Sequence, residues 1–123
     1  MSAPSSTYIL QQIEKYVVVE FREPSLMDPI VLEQVATNLY HLVDVEDRRY
    51  LVLDFEQVQF LSSQALGIVI NLKKKLDALG KASLVLCGVG PRLMELLKIT
   101  RLDRILTVKP SQKEAVKVVP KHA

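Results

Sequence analysis

The chain has 123 residues, of which 49% are hydrophobic and 24% are charged. This length suits one domain, and the apolar share excludes a disordered chain, which buries too little apolar surface to offset its ordering entropy. Sixteen basic and fourteen acidic side chains leave a net charge of +2, which is too balanced to favour nucleic acid or a polybasic membrane anchor. No apolar run reaches the roughly 18 residues that a spanning helix needs, so we expect no membrane segment.

The cysteine and histidine content excludes several kinds of site. The single cysteine, Cys87, has no partner for a disulfide within the chain, and the sequence opens without a signal-like apolar stretch, so we expect a cytoplasmic protein. One cysteine with His41 and His122 does not form a metal-ligand pattern, and we expect neither a metal ion nor a cofactor.

Segments rich in β-branched and aromatic residues predict the strands. They lie at residues 8–13, 16–21, 50–55, 83–87 and 105–108, the first of them as an edge strand. The small polar residues 1–7 predict a leader, residues 8–119 the folded domain, and residues 120–123 a short tail.

Apolar residues at helical spacing predict four helices, at residues 29–44, 62–79, 92–98 and 112–119. Asp28 followed by Pro29 is typical of an N-cap and a first helical residue, and Gly80 is typical of a helix end. Ser111 with Glu114 forms a capping-box pattern before the last helix. Regular alternation of strands and helices predicts an α/β domain, with a mixed, mostly parallel sheet of four or five strands covered by four helices.

The junction between the central strand and the longest helix is the most informative part of the sequence. Ser62 and Ser63 place two hydroxyls at the first turn of that helix, where a phosphoryl group would meet free backbone N–H groups and the positive end of the helix dipole. The following segment, residues 65–70, is apolar nearly all round. It either packs entirely in the core or also forms a patch that binds a partner.

Several segments of this chain together resemble a STAS domain, most closely the stand-alone anti-sigma-factor antagonists of bacteria. The resemblance rests on the strand LVLDF, the segment QVQFLSSQALGIVINLKKKL, the strand SLVLC and the segment PRLMELLKITRLDRIL. In the family, Asp-Ser-Ser-Gly-Leu-Gly opens the helix, and residues 62–67 are the matching stretch here. The resemblance covers about residues 16–119.

The resemblance implies a partner switch that regulates transcription rather than an enzyme. Such proteins bind an anti-sigma factor that is also a serine kinase, and this frees the sigma factor. Phosphorylation of the serine that matches Ser63 ends binding, and a phosphatase restores it. The resemblance thus implies Ser63 as phosphoacceptor and assigns partner binding to Ser62, Ser63, Gln64, Ala65, Leu66, Gly67 and Ile68.

This chain departs from the family motif at three positions. The family's Asp is Ser62 here, its second serine is Gln64, and its first glycine is Ala65. Ser62 is therefore a second candidate phosphoacceptor, or a neutral helix cap with neither serine modified. These departures favour an alternative function, a constitutive STAS scaffold or interaction subunit of a larger complex without a phosphate cycle.

A third hypothesis is a small-ligand or receiver-type domain with Asp54 as its strand-end carboxylate. Glu23 and Asp28 are poorly spaced for the acidic pair that a receiver needs. The segment Gly88-Val89-Gly90 lacks the third glycine of a dinucleotide fingerprint. A serine hydrolase triad is also disfavoured, because His41 belongs to a different helix from the serine pair.

Overall fold

The computed structural model describes residues 7–119. Within these residues, seven strands and four α-helices follow one another. In order they are β1 (Tyr8–Ile13), β2 (Tyr16–Phe21), β3 (Ser25–Leu26), α1 (Pro29–Asp44), β4 (Tyr50–Asp54), β5 (Phe60–Leu61), α2 (Ser63–Leu79), β6 (Ser83–Cys87), α3 (Pro91–Ile99), β7 (Thr107–Lys109) and α4 (Gln112–Ala115).

The main sheet has five strands in the order β1-β2-β4-β6-β7. β1 and β2 form an antiparallel hairpin, and the other neighbours are parallel, as the crossover helices between them require. The predicted α/β class with a mixed, mostly parallel sheet is therefore confirmed.

The two faces of the sheet carry separate apolar cores. One face packs against α1, α2 and α3 through alternate strand residues such as Val19, Leu53 and Leu86. The other face packs against α4 through Val52, Val85 and other residues. Because both faces are covered, β4 and β6 are nearly continuous apolar runs rather than alternating ones.

A second sheet of two short strands was not predicted from the sequence. β3 and β5 pair in parallel, with Ser25 opposite Phe60 and Leu26 opposite Leu61. Two residues on each side are too few for a periodicity signal, so only the tertiary structure shows this pairing. Its consequence is that the segments leading into α1 and α2 are hydrogen-bonded to each other.

The predicted helix starts and ends are largely confirmed. Asp28 caps α1 by accepting hydrogen bonds from the backbone N–H groups of Ile30, at 2.9 Å, and Val31, at 3.4 Å. Pro29 is the first residue of α1, and Gly80, with φ +68°, ends α2. Ser111 accepts from the Glu114 N–H and starts α4.

Two predicted elements near the C-terminus were wrong in extent. The last strand begins at Thr107 rather than 105, because the carbonyl of Leu102 accepts the N–H groups of residues 105 and 106 in a 3-10 turn. The last helix ends at Ala115 rather than extending to residue 119. The hydroxyl of Tyr16 donates to the Val118 carbonyl at 2.8 Å, which holds the segment after α4 in a non-helical path.

One residue that the sequence analysis assigned to the leader packs against the domain. Thr7, assigned to the leader, is buried, and its carbonyl accepts the N–H of Arg22 at 2.7 Å. The leader at 1–6 and the tail at 120–123 lie outside the described residues. No helix within residues 7–119 is both long and apolar enough to cross a bilayer.

Candidate functional site

The two predicted serines have different roles at the start of α2. Ser62 is the N-cap in extended backbone geometry, and its Oγ accepts the N–H of Ala65 at 3.2 Å. Ser63 is the first helical residue and is exposed. Its hydroxyl makes no hydrogen bond to another residue within 7–119. One hydroxyl is therefore used by the helix, and the other faces solvent.

The two-stranded sheet of β3 and β5 determines where these serines lie. The N–H of Ser62 donates to the Leu26 carbonyl at 3.1 Å, and the side-chain amide of Gln64 donates to the Pro29 carbonyl at 3.2 Å. α1 and α2 consequently begin side by side on the same edge of the domain. Two helix N-termini with their positive dipole ends therefore meet there, next to the exposed hydroxyl of Ser63.

The predicted partner patch is only partly exposed. Ala65, Leu66 and Ile68 are buried in the core between α1, α2 and the sheet, so the core-packing interpretation holds for these three residues. Ser63 and Gln64 are exposed, and Gly67 is half-buried. A Cβ added at Gly67 would meet no atom within 4 Å, so this side of the helix is open.

Exposed apolar side chains that the sequence analysis did not single out lie on the segments leading into the two helices. Met27 is 52% exposed, Ile30 is 74% exposed and Phe60 is 41% exposed. The guanidinium carbon of Arg92 lies 4.8 Å from the Phe60 ring centroid, within cation–π distance. Ile30 lies in the first turn of α1 but outside its buried stripe (Leu32, Val35, Leu39), and this is the signal that could have identified it. We call Met27, Ile30, Phe60 and Ser63 the helix-start surface.

The strand-end carboxylate Asp54 is a structural residue rather than an exposed acceptor. It is buried, and it accepts hydrogen bonds from the N–H of Glu56 at 2.9 Å and the side-chain amide of Gln112 at 2.6 Å. The same amide of Gln112 lies 3.3 Å from a carboxylate oxygen of Glu20. These contacts attach α4 to the ends of β2 and β4.

The other reactive residue types do not assemble into a site. His41 lies in the last turn of α1, where its Nδ1 is 3.4 Å from the Glu46 carboxylate, whereas the serines lie beside the first turn of that helix. Among the described residues, no three His, Cys, Asp or Glu side chains lie close enough together to hold a metal ion.

Cys87 is expected to be unreactive in the folded protein. Burial, followed by the negative charges of Asp54 and Glu56, raises the pKa of the Cys87 thiol from 9.0 to about 12. The thiolate is the nucleophile, so the native thiol should react with an aromatic disulfide reagent at pH 8 far more slowly than in denaturant. A rate in native buffer equal to that of the denatured chain would contradict this.

The raised pKa of Cys87 also affects stability. Because the unfolded thiol ionises first, Cys87 should lower the free energy of unfolding as the pH rises above about 9.

Comparison with known proteins agrees with this architecture. The family model described as STAS domain matches residues 7–115. An anti-sigma factor antagonist from Mycobacterium paratuberculosis is 25% identical, with 97% of this chain and 98% of that chain covered and a TM-score of 0.79. An anti-sigma-factor antagonist (STAS) domain protein from Planctomyces limnophilus is 20% identical, with 92% and 97% covered and a TM-score of 0.80.

A third similar structure is the Bacillus cell fate determinant SpoIIAA in its phosphorylated form. It is 18% identical, with 89% of this chain and 96% of that chain covered and a TM-score of 0.70. These likenesses extend over nearly the whole chain and show that the α/β fold is shared. The chain belongs to the STAS domain family.

Proposed function

We propose that this protein is an anti-sigma-factor antagonist that binds an anti-sigma-factor serine kinase through the helix-start surface, and that phosphorylation of Ser63 ends the binding and leaves the sigma factor sequestered. A phosphatase would reverse the modification. The observation that carries the proposal is the exposed hydroxyl of Ser63 at the first residue of α2, beside exposed apolar side chains.

The geometry favours Ser63 over Ser62 as the phosphoacceptor. The Oγ of Ser62 already accepts the Ala65 N–H, and Ser62 is only half-exposed, so a kinase would have to displace this hydrogen bond to reach the hydroxyl. The hydroxyl of Ser63 has no such role, and its exposure allows a kinase to reach it without unfolding the helix.

The position of Ser63 also explains how a phosphate would act as a switch. It adds about −1.5 to −2 charges at the edge where the β3–β5 pairing and the Gln64–Pro29 contact also place the exposed side chains of Met27, Ile30 and Phe60. A partner that covers these side chains must desolvate that charge, which is unfavourable without a matching cation. The two helix N-termini attract a phosphate, but the exposed carboxylate of Asp28 at the start of α1 repels it.

The departures from the family motif are compatible with this function. Ser62 replaces an acidic cap and still caps α2. Ala65 replaces a glycine, but its methyl group is buried in the core rather than presented to a partner. Gln64 replaces the second serine and attaches α2 to the start of α1. None of the three replacements covers the hydroxyl of Ser63.

The proposal is tested by phosphorylation with the cognate kinase and ATP, followed by mass spectrometry. We expect phosphate on Ser63 in the native protein, none on the Ser63→Ala variant, and continued modification of the Ser62→Ala variant. Ser63→Asp should weaken kinase binding by about a hundred-fold, since about 3 kcal/mol is lost when a charge is desolvated without a partner.

Ser111→Asp is the matched control, because this exposed cap of α4 receives the same change away from α2. Phosphorylation confined to other residues, with kinase binding equal for Ser63→Asp and the control, would reject the switch. Partner binding that persists unchanged in Ser63→Asp would instead support the constitutive scaffold.

A further inference from the structure

The outer edge of the main sheet at β1 is open. β1 pairs with β2 on one side, and no strand within residues 7–119 lies on its other side. An unpaired strand edge is a template for another strand, because its outward N–H and C=O groups lack protein partners. This edge lies across the sheet from α3 and belongs to neither helix start.

The hairpin register shows which backbone groups point outward. Arg22 donates to the Thr7 carbonyl, so this opposed pair is a hydrogen-bonded one. Bonded and non-bonded pairs alternate along an antiparallel ladder. Ile9 and Gln11 therefore direct their backbone groups towards β2, and Tyr8, Leu10 and Gln12 direct theirs to the free edge.

β1 carries none of the usual protections against edge pairing. Its sequence, YILQQI, contains no charged residue and no proline, in a chain that is 24% charged. Ile9 is 38% exposed and Leu10 is 48% exposed, and because neighbours in a strand alternate, these two apolar groups lie on opposite faces of the sheet. A strand added beside β1 would bury both.

We propose that the β1 edge is a dimerisation surface whose occupant is a second copy of this chain, aligned antiparallel about Leu10. In that register Leu10 faces the partner's Leu10, and Tyr8 faces the partner's Gln12. The outward-facing residues are then the hydrogen-bonded pairs, which form about six new backbone bonds and join two five-stranded sheets into one.

The side chains of β1 match a second copy of themselves. On one face of the new strand pair, Leu10 would lie against the partner's Leu10. On the other face, Ile9 would lie against the partner's Gln11, and no like charges would be opposed. Arg48 lies beside this strand, and its guanidinium donates to the Gln12 side chain. The register separates the two copies of Gln12 by four residues along the strands, about 13 Å, so the two Arg48 side chains are not forced together.

The test is sedimentation velocity of the full chain from low micromolar to millimolar concentration. We expect a monomer–dimer equilibrium for the native protein. Leu10→Lys places two like charges opposite each other and should weaken dimerisation at least about ten-fold, and mixing it with Leu10→Glu should restore pairing. Leu79→Lys, a partly exposed leucine on another surface, is the matched control and should dimerise normally.

The register is tested separately by cross-linking. Leu10→Cys should form an intermolecular disulfide on mild oxidation, because opposed Cα atoms of a bonded pair lie about 5.5 Å apart. Gln12→Cys should not, and Cys87 is fully buried and cannot substitute. A native protein that is monomeric throughout, or a Leu10→Lys variant that dimerises like the native chain, would overturn the proposal. Neither result bears on Ser63, so the two proposals fail independently.

Discussion

Gly88→Ala is expected to lower the free energy of unfolding by roughly 2 to 5 kcal/mol. Gly88 has φ +66°, a conformation that L side chains rarely adopt. A Cβ there would also lie 2.8 Å from Oδ1 of Asp54 and 2.8 Å from the backbone nitrogen of Glu56. Because one of these neighbours is backbone and the other is a buried, hydrogen-bonded carboxylate, neither can move away at low cost.

Gly67→Ala is the matched control for this prediction. Gly67 lies inside α2, where a Cβ would meet nothing within 4 Å, so alanine should raise the free energy of unfolding by up to about 1 kcal/mol. Urea denaturation monitored by circular dichroism measures both variants. Equal stability of the two variants would show that the close approach at Gly88 does not constrain the fold.

Asp54→Ala is expected to cost roughly 2 to 4 kcal/mol. The change removes the acceptor of the Glu56 N–H and of the Gln112 amide in a buried corner, and it leaves these donors without that partner. The loss should be concentrated at α4, since Gln112 is its first residue. Hydrogen exchange should therefore increase first in residues 112–118.

The control for Asp54→Ala is Glu23→Ala, which removes an exposed carboxylate before β3 that makes no hydrogen bond or ion pair with the described residues. Its effect should stay within about 0.5 kcal/mol. The Asp54→Ala variant should still be phosphorylated on Ser63, because Asp54 holds α4 in place whereas Ser63 belongs to the helix-start surface. A variant as stable as the native protein would show that Asp54 does not hold α4, and loss of phosphorylation in a folded variant would revive a role for this carboxylate in the switch.

The fold was largely predictable because each long element carries its own local signal. The stripe of α1, with Asp28 and Pro29 before it, and the apolar runs of β4 and β6 depend on residues close in sequence. The short elements carry no such signal. β3 and β5 are two residues each, and their pairing joins segments more than thirty positions apart.

The same contrast applies to the candidate site. The position of Ser62 and Ser63 at a helix start followed from the sequence, since N-cap preference is a local property. The sequence did not show which serine caps the helix and which is exposed. That depended on the extended backbone geometry at Ser62, which makes it the N-cap. The patch at residues 65–68 was ambiguous, because an apolar helix segment looks the same whether the sheet or a partner covers it.

The sequence by itself therefore determined the α/β class, the family resemblance and the serine-bearing helix start, because periodicity and capping act over a few neighbouring residues. Only the tertiary structure decided that Ala65, Leu66 and Ile68 belong to the core, and that Met27, Ile30 and Phe60 are exposed beside Ser63. Exposure depends on which distant segments pack together, and the pairing of β3 with β5 is the long-range contact that brings these helix starts side by side.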